Sequence, residues 1–415
     1  MKRAVITGMG VLTPLGNTVE ELWQNLKAGV SGVSAVHRFD ASRFDSRIAA
    51  QVKGFDPSVY VDKKELRRTD LVQQYAIAAA ECAIKDARLS LDEVDKERVA
   101  VVTGSGIGGI LSFEEQHSIF LTKGPSKVSP FFISMMIIDM LPGLISLRYG
   151  FKGPNYGTVS ACASAAHAIA DALRLIQRGE AEVVITGGAE AAITEMSFAG
   201  FCSSRALSTR NDQPEKASRP FDADRDGFVM GEGAAILVVE EEEFAKRRGA
   251  TIYADLVGCG MSADAYHITA PSPDGDGAAR AMRAALKDAE LTAEQIGYIN
   301  THGTSTPLGD IAETMAIKSV FGDRSRSMAI NSSKSMIGHM LGAAGAIEAA
   351  VTALSLRDGF VHPTINIENQ DPQCDLDYTR DRGKTVDIQY ALSNSFGFGG
   401  HNITLALGKH SGSTG

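Results

Sequence analysis

Six times the chain repeats one pattern: a short aliphatic run enters glycine, and a helix-forming stretch follows. The instances are "RAVITGMGVLTPLG" from Arg3, "RVAVVTGSGIGG" (98–109), "AEVVITGGAEAAI" (181–193), "TIYADLVGCGMSAD" (251–264), "IGYINTHGTST" (296–306) and "YALSNSFGFGG" (390–400). Helical stretches fall at 70–87, 162–178, 275–289, 308–321 and 342–357, with another starting near Val19. Buried strands alternating with helices predict an α/β architecture with helices on both sides of the sheets. The glycines read as strand-to-helix turns, and there are 42 of them. A chain of 415 residues exceeds one ordinary core. The alternation divides near residue 250, which predicts two similar halves, 1–250 and 251–410, followed by a polar tail at 411–415. No low-complexity linker separates them, so one body is expected.

The totals exclude several functions. A formal charge of −9 argues against a nucleic-acid binder, and an anionic partner must be met by a local basic patch. The five cysteines (82, 162, 202, 259, 374) form no CxxC pair, so neither zinc nor a disulfide framework is indicated. A reducing, cytoplasmic setting fits. "MKRAVITGMG" lacks the apolar core of a secretory signal. The run "FFISMMIIDMLPGLISL" (131–147) is short for a membrane span and is broken by Asp139 and Pro142. It reads as a buried or subunit-interface helix, kinked at Pro142. "TGMGVLTPLG" and "GSGIGG" lack the G-x-G-x-x-G spacing of a dinucleotide site.

Chemistry concentrates in three places. Cys162 heads the stretch "CASAAHAIADALRLIQRG", whose first half is mostly alanine. A helix without a polar face is buried on all sides, and small side chains let neighbouring helices close in. A thiol at a helix N-terminus feels unpaired N–H groups, which lower its pKa and can hold an oxyanion. A small core cysteine is the competing reading, and position alone does not separate the two. His302 in "NTHGTSTPLGD" and His339 in "NSSKSMIGHMLGAAGA" both follow strand-like runs in Gly/Ser/Thr-rich loops. Neutral imidazoles there suit oxyanion donation or proton exchange. Lys334 and Glu313 lie close to these loops in sequence and are expected either to pair and order the site or to face solvent. "SNSFGFGGHN" (393–402) reads as a hairpin turn, or as a loop whose N–H groups touch substrate with a phenylalanine gate.

The ordered set "SACAS", "SRPFDADRDGFVMGEGA", "DAYHITAPSP", "NTHGTSTPLGD", "SSKSMIGHMLGAAGAIE" and "SNSFGFGGHN" resembles the elongating beta-ketoacyl-ACP synthases over residues 3–408. The resemblance implies a thiolase-like, five-layered α-β-α-β-α fold made of two similar halves, in a homodimer. It implies an acyltransferase of fatty-acid synthesis that elongates chains by two carbons, with Cys162 holding the acyl chain as a thioester. His302 and His339 then hold the malonyl thioester while CO2 leaves, and Lys334 and Glu313 organise the histidines. The N–H groups of Cys162 and Phe398 form an oxyanion hole, with Phe398 gating entry. Ile107 and Phe201 line the acyl pocket, and segment 131–140 of the partner subunit closes it. Thr269, Thr304 and Thr306 are expected along the substrate path, the last two on the phosphopantetheine arm. That arm arrives on the acyl carrier protein, and no separate cofactor is required. Lys64, Arg67, Arg68, Lys127 and Arg205 are expected to contact the acidic carrier, although the run "DKKELRRTD" alone reads as a solvated helix face. A structural Na+ or K+ is expected at Asn300, Glu348 and Asn394.

Small departures stand out. Ser160, Thr301 and the triplet Asn331-Ser332-Ser333 before Lys334 depart from what is more frequent in the family, and none removes a catalytic group. A thiolase needs a second catalytic cysteine near the C-terminus, and Cys374 lies outside "SFGFGG". Chain-initiating synthases use Cys-His-Asn. A cysteine hydrolase does not account for two histidine loops. A catalytically inert chain-length factor lacks the nucleophile. A type II polyketide ketosynthase remains open, as do the preferred acyl length and unsaturation.

Overall fold

The computed structural model describes residues 1–411; the end of the expected tail, 412–415, lies outside the described residues. Ten strands form the main sheet: β1 Ala4–Leu12, β2 Val99–Gly104, β3 Asn155–Thr158, β4 Val183–Glu190, β5 Gly233–Glu241, β6 Ala254–Ala263, β7 Ile296–Asn300, β8 Ala329–Asn331, β9 Tyr390–Gly397 and β10 His401–Gly408. Their spatial order is β8-β7-β9-β10-β6-β1-β5-β4-β2-β3. The first five strands lie in the order third, second, fourth, fifth, first, and the second five repeat it. Pairing senses match as well. β1–β5 and β5–β4 are antiparallel, as are β6–β10 and β10–β9. β4–β2, β2–β3, β9–β7 and β7–β8 are parallel. The halves meet where β1 pairs β6 over Ala4–Ile6.

Five helices complete the layers: α1 Leu71–Asp86, α2 Ser164–Gln177, α3 Asp276–Asp288, α4 Pro307–Phe321 and α5 Ala344–Asp358. α1 covers the outer face of β1 and β5, and α3 covers β6 and β10 with α4 beside it. α2 and α5 lie together between the two five-stranded portions, α2 on β2 and β4, α5 on β5 and β9. This is the five-layered thiolase-like arrangement. Its largest apolar cluster joins Ala165, Ala166 and Ala168 to Ala346, Ala349 and Ala350 and to strand residues of both halves. A Cβ at Gly345 would stand 2.7 Å from that of Ala166, so even one methyl is too many where the helices touch. α5 is buried throughout from Ala344 to Leu356. α2 keeps a half-exposed stripe at His167, Asp171 and Arg174, so its burial is less complete than its sequence predicts.

Two expectations need correction. β1, β4 and β6 run straight through their glycines instead of turning at them. In β1 a Cβ at Gly8 would stand 2.5 Å from the Ala83 carbonyl oxygen, and one at Gly10 would overlap that of Ala79. These glycines let the alanine face of α1 approach the strand backbone. The second correction concerns 131–147. It forms two helices, Phe132–Met136 and Met140–Tyr149, separated at Ile137. Pro142 lies in the first turn of the second, where a missing N–H costs nothing, so it causes no kink. No helix among the described residues is long and apolar enough to cross a membrane.

Candidate active site

Cys162 sits in a single 3-10 turn, Ala161–Ala163, that feeds directly into α2. Ala161 holds a φ of 52°, a left-handed conformation that a non-glycine residue rarely adopts. The turn is locked by Ser164, whose Oγ accepts the Ser160 N–H at 2.9 Å and donates to the Ala161 carbonyl at 2.7 Å. Gly397 at the end of β9 lets the hairpin approach: a Cβ there would stand 2.7 Å from the Ser160 carbonyl oxygen and 3.1 Å from the Cys162 nitrogen.

His302 leaves β7, and Glu313 on α4 holds its loop. The Glu313 carboxylate accepts the His302 N–H at 2.9 Å, the Gly303 N–H at 2.8 Å and the Asn394 amide at 3.0 Å. His339 stands between the short helix Lys334–Ile337 and α5. Its N–H donates to the Val229 carbonyl at 2.7 Å, and its carbonyl accepts from Gly231 at 2.8 Å. The imidazoles cross nearly at right angles, centroids 5.2 Å apart. Phe228 meets His339 edge-on at 5.3 Å, and Phe396 leans on His302 at 5.8 Å.

The sulfur of Cys162 and one ring nitrogen from each histidine lie within 4.8 Å of one another. His339 Nε2 is 3.0 Å from Sγ. Lys334, one of the largest fully buried side chains, forms an ion pair with Glu348. The expected Lys334–Glu313 pair is therefore corrected. Glu313 satisfies backbone donors, and the ammonium meets a carboxylate from α5.

Electrostatics follow from burial. It holds both imidazoles well below the usual histidine range, and the Lys334 ammonium pushes in the same direction. Both histidines are neutral at physiological pH. The thiol of Cys162 is pushed up to about 12 by burial, against the downward pull of Lys334 and of the Phe398 and Cys162 N–H groups. Helix-head position predicts a lowered thiol pKa. Desolvation outweighs it in the closed resting site.

These groups share one cavity of about 590 Å3, also lined by Ile107, Phe201, Thr269, Thr304, Thr306 and Phe398. Residues 1–245 match the description "Beta-ketoacyl synthase, N-terminal domain", and residues 253–368 match "Beta-ketoacyl synthase, C-terminal domain". The chain belongs to the beta-ketoacyl synthase family. It is 52% identical to a 3-oxoacyl-[acyl-carrier-protein] synthase 2 of Synechocystis sp. over 409 residues, 99% of this chain and 98% of the relative. A solved beta-ketoacyl synthase from Burkholderia phymatum superimposes with a TM-score of 0.93 at 40% identity, covering 99% of this chain and all of the other. A type II polyketide ketosynthase, solved in complex with its acyl-carrier protein and bound to the hexaketide, superimposes with a TM-score of 0.91 at 35% identity. The coverage is 99% of this synthase and 100% of that chain.

The remaining expected residues are dispersed. Arg205 lines the mouth of the cavity. Lys64, Arg67, Arg68 and Lys127 are exposed and do not line it. Arg68 stacks over the Phe131 ring at 4.4 Å. Thr304 and Thr306 hydrogen-bond each other at 2.9 Å. Asn300, Glu348 and Asn394 are fully buried. Asn300 Oδ1 and Glu348 Oε2 have no partner among the described residues, and each is the kind of oxygen donor that a hard monovalent cation takes. Asn394 does not offer its side chain: its amide serves Glu313 and its Oδ1 accepts from Thr404 at 2.8 Å. Sequence reasoning missed Phe228 and Glu190. The phenylalanine carries no polar signal, and Glu190 ends a strand as an ordinary hydrophilic residue.

Proposed function

We propose that this synthase elongates acyl chains held on an acyl carrier protein, as a 3-oxoacyl-[acyl-carrier-protein] synthase of fatty-acid synthesis. The convergence of one thiol and two neutral imidazoles at the base of an apolar cavity carries the reading. The 52% identity to a 3-oxoacyl-[acyl-carrier-protein] synthase 2, against 35% to the polyketide ketosynthase, favours this over a polyketide ketosynthase, and Cys162 itself disfavours an inert partner subunit.

The chemistry runs in two stages. In the first, Sγ of Cys162 attacks the acyl thioester carbonyl with His339 Nε2–H held 3.0 Å from the sulfur. The N–H groups of Cys162 and Phe398 already point at this sulfur and are placed for the carbonyl oxygen as it gains charge. The carrier thiolate leaves and takes the thiol proton, and the acyl chain remains on Cys162. In the second stage, His302 and His339 donate hydrogen bonds to the malonyl thioester oxygen. Loss of CO2 leaves an enolate, whose carbon attacks the acyl-Cys162 carbonyl. The C–S bond breaks, the new C–C bond forms, and the Cys162 thiolate takes a proton from solvent. Neutral imidazoles serve this step because they donate without adding a second cation beside Lys334.

Lys64, Arg67, Arg68, Lys127 and Arg205 receive the carrier, and Thr269, Thr304 and Thr306 line the path of its arm. Phe398, 39% exposed at the cavity mouth, gates it. A homodimer completes the site. The open edge of β3, with exposed Tyr156 and Val159, and exposed Ile133 support that assembly. A monovalent cation is held by Asn300 and Glu348, and no step passes through it.

The test is condensation of acyl-ACP with malonyl-ACP, read as 3-oxoacyl-ACP. Wild type is expected to form product, and Cys162→Ala is expected to form none. Product from the alanine variant refutes the nucleophile.

A further inference from the structure

Glu190 ends β4 completely buried, and the reaction described above does not use it. Among the described residues no basic side chain pairs with it. Four donors take its two oxygens instead. Oε1 accepts the Ser105 hydroxyl at 2.9 Å and the Ile107 N–H at 3.2 Å. Oε2 accepts the Gly106 N–H at 2.7 Å and the Gly342 N–H at 2.9 Å. The first three belong to the loop after β2, which carries Ile107 into the acyl cavity. Gly342 belongs to the other half, three residues after His339. A Cβ at Gly342 would stand 2.7 Å from Oε2, and one at Gly106 would stand 2.9 Å from it, so both positions leave room only for the carboxylate.

We propose that Glu190 is a positioning residue for acyl selectivity. Its carboxylate fixes the Gly106–Ile107 wall against the His339 turn and so sets the width of the cavity above Cys162. This rests on the reading of that cavity as the acyl site.

Glutamine at this position makes a specific perturbation. An amide keeps one acceptor oxygen and turns an NH2 group toward the other pair of donors. At Oε2 that NH2 would face two N–H groups that cannot reverse. At Oε1 it would face the Ser105 hydroxyl, which can turn to accept, and the Ile107 N–H, which cannot. Glu190→Gln therefore keeps the bridge to Gly342 and releases Ile107 alone. A single buried donor left unpaired corresponds to about a tenfold effect or more.

The experiment uses the full-length synthase with short-, medium- and long-chain acyl-ACPs, measuring kcat/KM for acyl transfer and, separately, malonyl-ACP decarboxylation. Glu190→Gln is expected to change the long-to-medium ratio by about tenfold while decarboxylation stays near wild type. An unchanged ratio overturns the proposal, as does an equal loss across all chain lengths together with decarboxylation. Ser105→Ala removes one donor to Oε1 and the acceptor of the Gly108 N–H at 3.2 Å. It is expected to shift the ratio in the same direction, and it decides the matter if Glu190→Gln does not fold. Ile107→Val is the control. If it leaves the wild-type profile unchanged, the acyl-cavity reading falls and this inference with it. If it shifts the profile while Glu190→Gln and Ser105→Ala do not, only the role of Glu190 is refuted.

Discussion

Glu313→Gln separates a positioning role from a general structural one. Oε1 of Glu313 serves two donors, His302 N–H and Asn394, while Oε2 serves only Gly303 N–H. The glutamine NH2 group therefore turns toward Gly303, leaving that buried N–H unpaired at a cost of about 1–3 kcal/mol. The two surviving bonds lose their charged acceptor, about 1 kcal/mol each. Burial pushes the Glu313 carboxyl up, so a neutral amide regains part of this. A net loss of about 2–4 kcal/mol is expected, within the roughly 5–15 kcal/mol by which folded domains are stable. The variant should fold with a lowered Tm. Gly303 holds a φ of 37°, and release of its N–H lets the His302 ring move. A displacement of about 1 Å costs on the order of a hundredfold in rate. The assay is CO2 release from malonyl-ACP beside thermal unfolding, with acyl transfer to Cys162 as the internal control. Decarboxylation should fall far more than acyl transfer. Wild-type decarboxylation in a destabilised variant would show that Glu313 serves the fold alone.

With Cys162 pushed up to about 12, its thiolate population grows with pH throughout the working range, so alkylation of the resting enzyme should accelerate about tenfold per pH unit without a plateau below about pH 10. A plateau near neutrality would instead indicate a thiolate–imidazolium pair. Gly10→Ala places a methyl against the Ala79 carbonyl oxygen and should destabilise by about 2 kcal/mol or more, read by denaturant unfolding. Near-wild-type stability contradicts the close approach of α1 to β1. Replacing Arg67 and Arg68 together with glutamate should raise KM for acyl-ACP, most strongly at low salt, and leave kcat little changed. An unchanged KM removes this segment from the carrier surface.

Much of the architecture is legible because helix periodicity and strand hydrophobicity are local signals. The stretches 70–87, 275–289 and 308–321 end within a residue or so of α1, α3 and α4. The glycines mislead because a turn glycine and a close-contact glycine look alike in sequence. Gly8 and Gly10 are explained only by α1, some seventy residues away along the chain. Pro142 misleads for a related reason: the break at Ile137 makes it a first-turn residue, and no local signal marks that break. In the site, Cys162 and the two histidine loops are visible as loop chemistry, and the resemblance supplies their pairing. The Lys334–Glu348 pair is not legible in the sequence because it joins a short helix to a distant one that is buried all round, and no local signal marks which partner a buried carboxylate finds. The high thiol pKa is not legible in the sequence because desolvation depends on what covers Cys162, whereas the helix-head position depends only on its neighbours in sequence.

The central claim is that Cys162 carries the acyl chain. Incubating the protein with acyl-ACP alone, then measuring intact mass and mapping the modified peptide, tests it directly. The account predicts one acyl group per chain, on the peptide containing Cys162, discharged as 3-oxoacyl-ACP when malonyl-ACP is added. An acyl group on another residue, or condensation with no acyl-enzyme formed, would contradict it.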